Sequence, residues 1–148
     1  MNILILHGPN LNLFGRREPH IYGSVTLPQI NERLQRLAEE LGCRLLTIQS
    51  NHEGALVDFF HEHIDDTAGA VLNPGGLTQS SVSLHDCIKA MPFPVLEVHM
   101  SNLAAREEWR RHSIISAACR GSVMGLGWRS YTAALRALVE SLREQADS

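Results

Sequence analysis

Glu97 and His99 stand two residues apart in Glu97-Val98-His99, at the end of an apolar run. Positions two apart on a strand share a face, so the carboxylate and the imidazole are neighbours. Such a carboxylate sets the ring tautomer and favours the cationic imidazole, which suits a general acid or proton shuttle near neutral pH. On spacing alone the plainer reading is slightly favoured: a His-Glu pair that satisfies two polar groups at a strand end. Arg17 and Tyr22 lie five apart in one loop. A phenol is a poor base at neutral pH unless a nearby cation stabilises its phenolate, and an arginine stays charged and can supply that cation. The competing reading packs the Tyr22 ring on the core and pairs Arg17 with Glu18 at the surface.

Other chemistry finds less support. His61 and His63 would point to different sides of a helix, and no ligand spacing for a metal emerges from the eight histidines. Cys43, Cys87 and Cys119 are odd in number and widely spaced, which fits inert thiols better than a disulfide framework. Gly8-Pro9-Asn10 raises a phosphate-binding alternative, but neither GxGxxG nor GxxxxGK[ST] occurs. Tyr131, Trp128 and the Phe59-Phe60 pair read as packing residues. His61, His63 and His85 read as solvent-facing, and His112 as a helix cap.

Positioning these groups requires strands and helices in alternation. Apolar runs at 3–6, 44–48, 69–72, 95–98 and 122–126 read as five strands buried on both faces. Between them, Leu27, Ile30, Leu34, Leu37 and Leu41 recur at helical spacing, with Thr26 as N-cap, Pro28 in the first turn and Gly42 closing the helix. Further helices are expected over 56–64, 81–89 and 131–143, with a shorter one over 102–110 and a fraying tail after 144. Buried strands separated by amphipathic helices imply a parallel sheet covered on both faces. Ligands in such sheets bind outside the carboxyl ends of the strands, near the point where strand order reverses. Asn10, Arg17, Tyr22, Asn73, Gln79, Glu97, His99 and Ser101 all fall at that edge. The loop over 8–23 is long for an otherwise tight fold, as lids and binding loops are, although a solvated connection is an equal alternative.

The 148 residues suit a single domain over 1–148, and 44% hydrophobic with 20% charged residues is an ordinary globular balance. A net charge of -3 with interleaved signs gives no basic stripe for nucleic acid. No apolar run approaches the ~20 residues of a membrane span, and the start of the chain lacks the basic region of a signal peptide. A cytoplasmic protein is expected.

Six segments, GPNLNL at 8–13 with GRREPHIYG at 15–23, QSNHEG at 49–54, NPGGLT at 73–78, EVHMSN at 97–102 and REEWRRHS at 106–113, together resemble type II 3-dehydroquinate dehydratase. The match runs from the first strand to the last helix in unbroken order. The resemblance implies an α/β flavodoxin-like three-layer sandwich, strand order 2-1-3-4-5, assembling as a dodecamer of trimers. It implies a hydro-lyase without cofactor or metal, converting 3-dehydroquinate to 3-dehydroshikimate by anti elimination through an enolate, in aromatic biosynthesis or quinate breakdown.

By the same resemblance, Tyr22 would abstract the C2 proton with Arg17 stabilising its phenolate. Asn10 would support charge on the C3 oxygen, and His99, oriented by Glu97, would protonate the departing C1 hydroxyl. Asn73, the amides of Met100 and Ser101 and the Ser101 hydroxyl would hold the carboxylate at a helix N-terminus, and Arg110 a ring hydroxyl. Asp86 would reach the site of a neighbouring subunit. Two positions depart from the family pattern: Gln79 where histidine is usual, and His7 where asparagine is usual. Gln79 keeps donor and acceptor capacity for a ring hydroxyl but cannot become cationic. The rival readings are a flavodoxin-like module for a flavin or nucleotide, and a catalytically impaired relative serving in assembly.

Overall fold

The computed structural model describes residues 1–148. Its strands are β1 (Asn2–His7), β2 (Arg44–Gln49), β3 (Gly69–Asn73), β4 (Val95–His99) and β5 (Gly121–Met124). They form one parallel sheet in the order β2-β1-β3-β4-β5, the flavodoxin-like order expected. Helices α2 (Leu27–Leu41) and α5 (Arg129–Asp147) pack on one face, and α3 (Glu53–Glu62) with α4 (Val82–Ala90) on the other. A four-residue helix, α1 (Pro19–Tyr22), interrupts the long loop after β1. No helix is long and apolar enough to cross a membrane.

The sheet explains the unbroken apolar run at its centre. Ile3, Leu4, Ile5 and Leu6 are all fully buried. Alternation along the strand sends Ile3 and Ile5 toward α2 and α5, and Leu4 and Leu6 toward α3 and α4. Each such side chain contributes about 1.5–3 kcal/mol relative to exposure. The same parity continues into the strand ends, so His7 and Asn73, paired in register across β1 and β3, belong to the α2/α5 side. Helix α2 begins as expected at Thr26, and more firmly than the N-cap alone implies: the Thr26 hydroxyl accepts from the Gln29 N–H while the Gln29 side chain accepts from the Thr26 N–H.

Five expectations need correction. The edge strands β2 and β5 contain no buried residue, so burial on both faces holds only for the central β1, β3 and β4. The segment over 102–110 is not one helix but two 3-10 turns, Leu103–Ala105 and Glu108–Arg110, separated by extended backbone at Arg106. The last strand stops at Met124 because Gly125 turns into the left-handed region, its N–H donating to the His99 carbonyl. Helix α3 starts at Glu53, a turn before its apolar stripe, and ends at Glu62. Helix α5 spans Arg129–Asp147, beyond the expected 131–143 at both ends.

Candidate active site

Strand order reverses between β1 and β3, and the crevice at their carboxyl ends is floored by two loops in unusually close contact. The Gly8 N–H donates to the Asn73 carbonyl at 2.9 Å. A Cβ on Gly8 would stand 2.3 Å from the Pro74 carbonyl oxygen, so no other residue fits there. From this floor the loop over 8–23 rises and folds back. Asn10 takes the left-handed conformation at φ 68, which asparagine tolerates, and its N–H donates to Asn51 Oδ1. Leu11 and Phe14 bury themselves as anchors, and the Tyr22 ring tilts against Phe14 with centroids 5.8 Å apart. Asn10, Arg17 and Tyr22 thereby line a cavity whose opposite wall carries Asn73, His99 and Ser101.

Glu97 and His99 meet as their spacing requires. His99 Nε2 lies 2.7 Å from Glu97 Oε2, with His99 only 6% exposed and Glu97 fully buried. Burial by itself would push the Glu97 carboxyl up. Donation from His99, Ser113 and Ser116 outweighs it and holds the group below its ordinary value, so Glu97 is an anion. A carboxylate can only accept, which puts the ring proton on Nε2 and leaves Nδ1 without a protein partner.

Tyr22 is flanked by two guanidinium groups. Arg17 stacks over its ring, Cζ to centroid 4.9 Å, and Arg106 donates through Nη2 to the phenolic oxygen at 3.3 Å. Arg106 also donates through Nη1 to Ser101 Oγ at 3.0 Å, and its side chain is only 10% exposed. Its buried Nε lacks any hydrogen-bond partner. One cavity therefore presents a phenol beside two fixed cations and an imidazole backed by a buried carboxylate. Together they can remove a proton at one point of a bound molecule and deliver one at another.

The sequence model of Dehydroquinase class II matches residues 1–139. The chain belongs to this family. It is similar to the 3-dehydroquinate dehydratase of Roseiflexus castenholzii, at 49% identity over 94% of this chain and 88% of the relative. It is also similar to that of Trichodesmium erythraeum, at 47% identity over 99% and 97%. Among solved structures, the type II dehydroquinase from Butyrivibrio crossotus superposes with a TM-score of 0.91 at 35% identity, covering 93% of this chain and 97% of that one.

The remaining family positions divide. In this dehydroquinase pocket Met100 is buried at the wall and Arg110 lines the rim, its Nε donating to Glu107 at 2.7 Å. Gln79 also lines the cavity, but its amide nitrogen donates to the Arg110 carbonyl at 2.9 Å, so it holds that turn and has its oxygen left for a ligand. Asp86 lies outside the cavity of its own chain, 70% exposed on α4 and bonded to His85. The expected helix N-terminus after β4 is a three-residue 3-10 turn, too short for an appreciable dipole, and its first turn is capped by Asn102 itself. The positive charge there comes instead from Arg106.

Arg106, Ser113 and Ser116 were given no role by sequence reasoning, and Tyr131, read as a packing residue, is in the core but also bonds Asn73 and His7. Arg106 opens the family-like segment 106–113 and lies in the stretch expected as a short helix, but no role was given to it; the sign that could have found it is its place in that segment, five residues after Ser101. No three His, Cys, Asp or Glu side chains converge as a metal set. Burial pushes the Cys87 thiol up to about 11, and burial with the nearby Glu97 carboxylate pushes Cys119 to about 12, which disfavours the nucleophilic thiolate at both.

Proposed function

We propose that the chain is a 3-dehydroquinate dehydratase of the type II class, a hydro-lyase that forms 3-dehydroshikimate and water. The observation that carries this reading is the meeting, in one cavity, of Tyr22 under two guanidinium groups with His99 held by a buried Glu97. The relatives and the family point to the same reaction.

Tyr22, as phenolate, takes the C2 proton. Arg106 and Arg17 stabilise its negative charge before the transfer, so little reorganisation is needed at the moment of reaction. The electron pair left on C2 moves onto the C3 oxygen as an enolate, supported by Asn10 through a water. As the enolate collapses, C1=C2 forms and the C1–OH bond breaks. His99 donates a proton to the departing hydroxyl, which leaves as water, and the Glu97 carboxylate stabilises the imidazolium before it does so. Proton transfer from Tyr22 to His99 through solvent restores the resting state.

Asn73, the Met100 and Ser101 amides and the Ser101 hydroxyl hold the carboxylate, with Arg106 supplying the charge that a longer helix would have given. Arg110 and the Gln79 oxygen take ring hydroxyls. Asp86, exposed on α4, completes the site of a neighbouring subunit in a trimer, four of which form a dodecamer. Light scattering at about twelve times the chain mass supports that assembly, and a monomer refutes it.

The decisive experiment follows the conjugated enone absorbance of the product. Wild type turns dehydroquinate over without added metal, and Tyr22→Phe and His99→Ala each lose at least about 10²-fold in kcat. A folded wild type that leaves dehydroquinate unchanged across a pH series removes the assignment.

A further inference from the structure

His7 lies outside the cavity and is fully buried, yet it is joined to it by hydrogen bonds that have only one consistent direction. The starting point is the Gly75 N–H, which must donate and does so to Asn73 Oδ1 at 3.2 Å. That fixes the amide of Asn73, so its nitrogen faces Tyr131 and donates to the hydroxyl oxygen at 3.0 Å. The Tyr131 proton then has His7 Nδ1 as its acceptor, 2.9 Å away. An accepting Nδ1 places the ring proton on Nε2, which donates to Asn31 Oδ1 at 2.8 Å. Four elements are linked in one line: β3 through Asn73, α5 through Tyr131, β1 through His7 and α2 through Asn31.

Asn73 has two amide hydrogens. One is held by Tyr131, its oxygen is held by Gly75, and the second hydrogen is the single free donor it can offer to a ligand in the cavity it lines. Without the Tyr131 acceptor only the Gly75 N–H, at 3.2 Å, would hold the amide, and a turn of 180° would break that one bond and present an acceptor to an anionic ligand. We propose that His7 and Tyr131 are positioning residues for substrate binding: they lock the Asn73 amide so that an N–H, not a carbonyl, faces the substrate oxygens. This rests on the dehydratase reading, and it assigns a role to a residue that never meets the substrate.

Atom-for-atom variants separate the relay from simple packing. Asn at position 7 carries an acceptor where Nδ1 lies and drops the Asn31 bond, whereas Gln keeps a donor near Nε2 and loses the acceptor for Tyr131. In steady-state assays with dehydroquinate, His7→Asn keeps KM within about twofold of wild type. His7→Gln and Tyr131→Phe raise KM roughly tenfold or more with kcat little changed, as loss of uniform binding requires. In an Asn73→Ala background, Tyr131→Phe has no further effect on KM. KM is independent of the folded fraction, so partial unfolding of a variant does not blur the reading. Equal KM for His7→Asn and His7→Gln, or a Tyr131→Phe effect that persists without Asn73, overturns the relay while leaving the dehydratase assignment intact. A wild type inactive on dehydroquinate overturns both.

Discussion

Arg106 is the side chain on which the proposed base depends most. It reaches the Tyr22 oxygen and the Ser101 hydroxyl with separate nitrogens of one planar fork. An ammonium on a flexible stem cannot hold both at once. Arg106→Ala is therefore expected to lower kcat about 10²- to 10³-fold, the scale of a lost preorganised donor, with Arg106→Lys in between. Single-turnover kinetics beside a melting curve would check this, and wild-type kcat in Arg106→Ala would refute the role. The contact between Glu97 and His99 was legible beforehand, because residues two apart on a strand share a face, but the proposed acid role was not, since the same spacing slightly favoured a structural pair. The base half was legible only in part. Arg17 and Tyr22 share a loop, but Arg106 arrives from 84 residues away, and no local pattern in the chain links it to Tyr22.

At the scale of elements, the site depends on how tightly the loop after β1 lies on the loop after β3. A methyl group on Gly8 would meet main-chain atoms of Pro74 and Asn73, none of which can swing aside as a side chain can. Gly8→Ala should cost about 1–3 kcal/mol by overpacking and displace Asn10 and Asn73 together. Urea unfolding midpoints and KM measured on the same sample should shift in step; an unchanged midpoint would show that the loops have room. The strands were legible because a parallel sheet buried on both faces demands continuous apolar runs, as at Ile3 to Leu6. The connection after β4 was not. Its Leu103, Trp109 and interspersed charges mimic a short helical period, while the backbone is extended at Arg106 between two 3-10 turns.

At the scale of the whole molecule, stability should fall away on both sides of neutrality. Burial lowers His7 from the ordinary 6.5 to about 4, against a smaller opposing effect of its bond to Asn31. Between those values the unfolded chain binds the proton more readily than the folded one, so stability rises with pH through this window. His7 accounts for about 3 kcal/mol of that rise, fully present above 6.5 and lost below 4. Glu97, held below its ordinary value, adds further loss as pH falls through its folded range. On the alkaline side Tyr131, Cys87 and Cys119 are all pushed up by burial, so the unfolded chain releases their protons first and stability declines above about 9. Melting temperatures from pH 4 to 10 should trace a dome, and in His7→Asn its acid flank should be shallower; an identical flank would remove His7 as its source.

The contact between Tyr22 and Arg106 joins two segments that touch across the mouth of the cavity and share no strand or helix. Were those segments to part, the phenol would keep Arg17, which belongs to its own loop, and lose Arg106, the guanidinium that reaches its oxygen. The cation at the ring face is thus carried by the tyrosine's own loop and the cation at the oxygen by a distant one, so the full pair of charges exists only where the two segments meet.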